Sequence, residues 1–225
     1  MGISVSLGNF WYWGKFNFEV QIKYADLLSP LDVDGFEFHL TNEEILQEKM
    51  LSFKNSDGKL LTAHLPKNFS EANIGKLYAL KDFGVKYFVI HADLYNEKTF
   101  PESIPFLIEN SDKKKSFGED VREIIAFNRE ICFDVNHSIE TMGKEEAQKQ
   151  YYLAEDKIRE LHVSANIGKR KYEGIDTPHY LYADSSEKIP AYLNRDLIWV
   201  IEGVVPPKRL DLIEAEIKLI KELKK

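Results

Sequence analysis

Metal-ligating side chains recur in this chain at the ends of short apolar runs. Ile104-Pro-Phe-Leu-Ile-Glu-Asn110 delivers Glu109, and Ile131-Cys-Phe-Asp-Val-Asn-His137 delivers Asp134. Ile158-Arg-Glu-Leu-His-Val163 delivers His162, and Leu197-Ile-Trp-Val-Ile-Glu-Gly203 delivers Glu202. A carboxylate at the end of a buried run is costly unless a cation satisfies it. Three carboxylates and one imidazole form a ligand set suited to Mn, Co or Mg, and further imidazoles would suit Zn. All six histidines, His39, His64, His91, His137, His162 and His179, fall at or just beyond such run ends or in the following loop. A divalent ion held there polarises a carbonyl or activates water, and carboxylates beside it exchange protons with a substrate carbon. The proton-transfer candidates are Glu109 and Glu202. His64, His91, His137 and His179 are candidates for further metal or substrate contacts. Glu37 at the end of Gly35-Phe-Glu-Phe-His39, His39 itself, and Lys169 and Arg170 in the later basic run are candidates for substrate binding.

Ligands from separate runs meet only if the runs are parallel strands whose carboxyl ends share one face. Eight such runs alternate with helical stretches: Ile3–Leu7, Gly35–Leu40, Leu60–Leu65, Val85–His91 and the four above. That alternation predicts a parallel sheet. Eight units closing on themselves predict an α/β fold, a compact (β/α)8 TIM barrel with some helices shortened and its site at the carboxyl ends of the strands. Helices are expected over Phe16–Leu28, from Thr41 with Glu44 completing a capping box, over Ser70–Gly84, Ser116–Glu130 and Lys144–Lys157, and in a short segment from Glu187 to Leu193. A loop or single turn is expected from Ala92 to Ser103, and a long loop from Asn166 to Ser186. The tail from Arg209 has the spacing of an amphipathic helix.

The ordered motifs AHLP (63–66), VIH (89–91), IEN (108–110), FDVNH (133–137), LHVSAN (161–166) and VIEG (200–203) resemble those of the xylose-isomerase-like TIM-barrel superfamily. That group contains sugar-phosphate isomerases and epimerases and the endonuclease IV-type nucleases of AP endonuclease family 2. The resemblance covers nearly the whole chain. It implies that Glu109, Asp134, His162 and Glu202 bind the catalytic metal. It implies that His64 and His91 bind extra zinc ions in a nuclease or line the substrate pocket in an isomerase. The chain departs from both branches. Asp176-Thr-Pro-His179 is one residue longer than the nuclease Asp-x-His. The following Tyr180-Leu-Tyr-Ala-Asp-Ser-Ser lacks the glycine-rich stretch usual in the isomerases.

Composition bounds these readings. The 225 residues are 44% hydrophobic with formal net charge −7, as expected for one soluble domain spanning 1–225. Cys132 is the sole cysteine, which excludes an internal disulfide and fits a reducing, cytoplasmic setting. Neither a signal peptide nor a membrane span is expected. The acidic balance disfavours a broad nucleic-acid footprint, since phosphate backbones require arginine and lysine along a groove. The expected function is therefore a divalent-metal-dependent sugar or sugar-phosphate isomerase or epimerase. The alternatives are an endonuclease IV-like phosphodiesterase acting at abasic DNA sites and a non-catalytic metal- or ligand-binding barrel.

Overall fold

The computed structural model describes residues 2–13, 17–42, 58–96, 100–172, 174–206 and 209–225. The strands are β1 (Gly2–Ser6), β2 (Gly35–His39), β3 (Leu60–His64), β4 (Val85–His91), β5 (Phe106–Glu109), β6 (Glu130–Asp134), β7 (Ile158–Val163), β8 (Ala165–Tyr172), β9 (Ile175–Tyr180) and β10 (Ile198–Ile201). Eight of them close into a barrel in the order β1-β10-β7-β6-β5-β4-β3-β2, every pairing parallel. This is the expected (β/α)8 barrel. The helices are α1 (Phe18–Leu28), α2 (Ile74–Phe83), α3 (Val121–Ile125), α4 (Val135–Met142), α5 (Lys144–Ala154) and α6 (Leu210–Lys224).

Alternation sorts each strand's side chains into two layers. One set packs outward against the helices in an apolar shell that includes Phe36, Phe88, Ile108, Phe133, Leu161 and Trp199. Val89, Leu107 and Cys132 form a separate small cluster. Cys132 is a free thiol packed in it as a small buried hydrophobe. The tail helix α6 buries Leu212, Ile213, Ile217 and Ile220, as its spacing predicts. Helix α2 stops at Gly84, whose φ of 116° lies in the left-handed region open to glycine.

Three expectations need correction. Residues 166–186 are not a loop: β8 and β9 pair antiparallel into a hairpin outside the barrel. Gly168, the basic run Lys169-Arg-Lys171 and Gly174 break any apolar alternation there and give the segment the composition of a surface loop. No helix forms at 187–193, where Pro190 supplies no N–H. The segment 116–130 is helical only over Val121–Ile125. The expected helix start at Thr41 with Glu44 lies outside the described residues. No helix among them is long and apolar enough to cross a membrane.

Candidate metal centre

Buried amides pin the strand ends that carry the ligands. Asn110 Nδ2 donates to the carbonyl of Asp134 at 3.0 Å, and its Oδ1 accepts from the Asp134 N–H at 2.7 Å. Gln21, on α1, grips both backbone groups of His39, at 2.7 and 2.8 Å. Asn9 Nδ2 donates to the Ile201 carbonyl at 2.9 Å, one residue before Glu202. These three amides were missed at the sequence level. Asn110 shows in the sequence only as the last residue of the IEN motif, and Asn9 and Gln21 only as polar residues between non-polar neighbours. Asp134 itself caps α4, its Oδ1 accepting from the His137 N–H at 2.7 Å. Helix α4 begins directly after Asp134 closes β6, and its first turn carries His137 back toward the site.

His162 is the centre of the constellation. It is fully buried, and its Nε2–H donates to Glu37 Oε2 at 3.0 Å. That bond leaves the lone pair on Nδ1. Nδ1 lies 2.9 Å from Glu109 Oε1, 3.4 Å from Glu202 Oε2 and 4.0 Å from Asp134 Oδ2. Ligand atoms of these four residues all lie within 4.8 Å of one another. Glu109 Oε1, Asp134 Oδ2, His162 Nδ1 and Glu202 Oε2 are each buried without a hydrogen-bond partner. Acceptor atoms turned toward one another in a water-poor interior repel unless a cation or proton lies among them. The four predicted ligands thus converge, and their orphaned atoms fit a divalent ion.

Glu37 does not stand on the cavity wall as a substrate contact. It is fully buried beneath the site, with Oε2 on His162 and Oε1 3.4 Å from His39 Nε2. A carboxylate on the far nitrogen of a ligating imidazole fixes its tautomer and raises its basicity. Glu160, also missed, is fully buried with Oε1 3.4 Å from the same Nε2.

The remaining histidines surround this centre. His64 Nδ1 donates to the Leu65 carbonyl at 2.9 Å, and its Nε2 lies 3.1 Å from Glu109 Oε2. His91 Nδ1 lies 3.1 Å from that same oxygen. Ring centroids connect the series: His39 to His64 at 4.8 Å, His64 to His91 at 5.0 Å, His91 to His137 at 6.2 Å and His137 to His179 at 5.4 Å. Five of these rings line a cavity of 690 Å³, with Glu109 and Glu202 on its wall and His162 below. Lys67, also lining it, pairs with Asp112 at 2.6 Å. The backbone of Lys169 and Arg170 belongs to the β8–β9 hairpin, and their side chains lie outside the described residues.

The charges balance through imidazole when no ion is considered. Burial opposes the charged form of Glu109, but His91 and His64 outweigh it and hold the carboxyl well below its ordinary value. Glu202 is likewise held low against burial, by His162. Burial pushes Asp134 well above the usual carboxylate range. His64 rises to about 9, since Glu109 overcomes burial, whereas burial takes His91 and His179 down to about 4. A divalent ion would replace the imidazolium charge on His162 and draw the proton from Asp134.

The sequence matches no family model and no curated protein. Solved structures do share the fold. A D-tagatose 3-epimerase-like protein superposes with a TM-score of 0.64 at 12% identity, over 99% of this chain and 98% of that one. The 3-keto-D-glucoside 4-epimerase YcjR from E. coli gives 0.62 at 12% identity, over 99% of each chain. The probable 3-DHS dehydratase AsbF from Bacillus anthracis gives 0.60 at 14% identity, over 98% of this chain and 99% of that one. At these identities the likeness is one of fold alone, that of the closed (β/α)8 barrel. These neighbours are named as enzymes or as enzyme-like.

Proposed function

We propose that the chain is a divalent-metal-dependent isomerase or epimerase of a sugar or sugar phosphate. The observation that carries this reading is the set of four orphaned ligand atoms, on Glu109, Asp134, His162 and Glu202, at the floor of a cavity of 690 Å³. That volume is in the range of small-molecule sites. A bound Mn, Co, Mg or Zn ion supplies Lewis acidity toward a carbonyl and its neighbouring hydroxyl. Glu202, partly exposed on the cavity wall, takes the proton from the carbon bearing that hydroxyl. The resulting enediolate is reprotonated through Glu109, whose Oε2 receives the replacement proton from the His64 imidazolium 3.1 Å away. The remaining cavity-lining imidazoles offer donors to the substrate hydroxyls. The fold neighbours named as epimerases support this reading. The test is incubation of metal-loaded protein with a panel of ketoses in deuterated water. Deuterium entering the carbon beside the carbonyl supports the proposal, and its absence across the panel would defeat it.

One observation favours a second reading. His64 and His91 both stand 3.1 Å from the same Glu109 oxygen, while its other oxygen faces His162. A carboxylate so placed suits a bridge between two ions ~3.5–4 Å apart, as in metal-dependent phosphodiester hydrolysis. In that reading the substrate is abasic DNA. Removing either histidine by alanine then strips an ion from the protein. In the isomerase reading the same changes weaken substrate binding and leave metal content intact.

A further inference from the structure

We infer a second divalent-cation site at Glu37, His39 and Glu202, on the β1–β2–β10 side of the cavity. It rests on the metal centre proposed above, with which it would share Glu202. One ligand atom from each of the three residues lies within 4.8 Å of the other two. An independent observation points the same way. Glu37 is fully buried, and its Oε1, the oxygen not used by His162, has no hydrogen-bond partner. That oxygen stands 3.4 Å from His39 Nε2. The imidazoles of His162 and His39 flank this carboxylate, at 3.0 Å and 3.4 Å.

The ring of His39 is held where such a ligand must stand. Gln21 fixes its backbone at both ends. The ring stacks on His64 with planes 6° apart. On its other side is Gly8, where a Cβ atom would meet the ring at 2.5–2.7 Å. Only a glycine at position 8 leaves the ring this place. Ser6 Oγ, 2.9 Å from Nε2, adds an oxygen at the site. His39 and Glu202 both line the cavity, so an ion reaches them from solvent. Two carboxylates, an imidazole and a hydroxyl suit Mn, Co or Zn. A bridging Glu202 sets the two ions ~3.5–4 Å apart. The second ion places positive charge on the wall of the cavity opposite His91 and His137. There it would hold a further oxygen of the substrate.

The test is titration of metal-free protein with Mn²⁺, reading stoichiometry by calorimetry and Mn–Mn spin coupling by electron paramagnetic resonance. The wild type should bind about two ions, spin-coupled through the shared carboxylate. His39→Ala should lose the second ion and the coupling while retaining the first. Gly8→Ala, which displaces the ring and leaves the imidazole present, should do the same, and it serves as the test if His39→Ala does not fold. Asp134→Asn should lose the first ion. A wild type that binds a single ion, sensitive to Asp134→Asn and indifferent to His39→Ala, overturns the second site and leaves the first standing. A second ion lost in His64→Ala or His91→Ala but kept in His39→Ala also overturns it, in favour of the Glu109 side. Absence of binding, or binding unaffected by Asp134→Asn, defeats the proposed centre and this site together.

Discussion

Glu202 is the residue on which the proposed chemistry turns. Glutamine in its place keeps the shape and one acceptor oxygen but cannot take up a proton. Glu202→Gln is expected to fold and to retain most metal binding while deuterium exchange into a responsive ketose disappears. Full exchange in that variant would remove Glu202 from the role of base. Toward the ion on His162, Glu37 acts one bond further away, through the N–H of that imidazole. Losing a partner of this kind weakens metal binding by ~10–100-fold in comparable sites. Glu37→Ala is expected to fall in that range by metal titration, and Glu37→Gln, whose amide oxygen still accepts the N–H, to fall less. Equal losses in both variants would mean that charge rather than orientation is what Glu37 contributes.

At the scale of elements, Asp134 joins two roles that substitution can separate. Its Oδ1 caps α4 and its Oδ2 faces the cluster. Asp134→Asn preserves an oxygen for the cap and should lose metal with the melting temperature of the metal-free protein nearly unchanged. Asp134→Ala loses both, and the missing cap costs roughly 1 kcal/mol. Helix α6 gives a pH-dependent prediction. Glu216 is fully buried and accepts from the N–H groups of Tyr182 and Ala183 at 3.1 and 2.7 Å, tying the helix to the segment that follows β9. Burial pushes its carboxyl up to about 7 despite those bonds. The folded chain therefore holds a proton that the unfolded chain has already released near its ordinary value of 4.5. Stability from this group is greatest below the unfolded value and is lost as pH rises through about 7, by of order 3 kcal/mol in total. Denaturant titrations from pH 4 to 8 should show that slope in the wild type and lose it in Glu216→Gln. A slope that survives the substitution would assign it to other groups.

The elements also show what sequence reasoning reaches. Barrel strands were legible because each is an apolar run with a chemically distinct end, and Glu109, Asp134, His162 and Glu202 follow from that pattern. The inward or outward direction of each side chain follows from alternation alone. The hairpin of β8 and β9 was not legible, since its basic segment and Gly168 resemble a surface loop. The role of Glu37 was only partly so. Which nitrogen of His162 is bare depends on a contact across 125 residues of sequence, and no local signal encodes it.

At the scale of the whole molecule, the barrel concentrates carboxylates and imidazoles at one end and leaves their mutual repulsion for an ion to relieve. Binding only to the folded state stabilises by mass action, by ~2.7 kcal/mol at a free metal concentration 100 times the dissociation constant. In a chain of this size that corresponds to a rise in melting temperature of roughly 5–10 °C. Calorimetry of metal-free and metal-loaded protein should show that rise, and chelation should reverse it. A melting temperature indifferent to Mn²⁺, Co²⁺, Mg²⁺ and Zn²⁺ would count against an ion in the core. The net charge of −7 fits a small-molecule substrate drawn to the site by coordination better than a long polyanion drawn by surface charge.

The most direct test of the central claim is anomalous diffraction from crystals of the protein grown with Mn²⁺ or Zn²⁺. The account predicts a peak bound by Glu109, Asp134, His162 through Nδ1, and Glu202, with a zinc ion ~2.0–2.2 Å from its nitrogen and oxygen ligands. A metal-soaked crystal in which these four side chains bind no ion, or in which the ion sits elsewhere on the molecule, would contradict it.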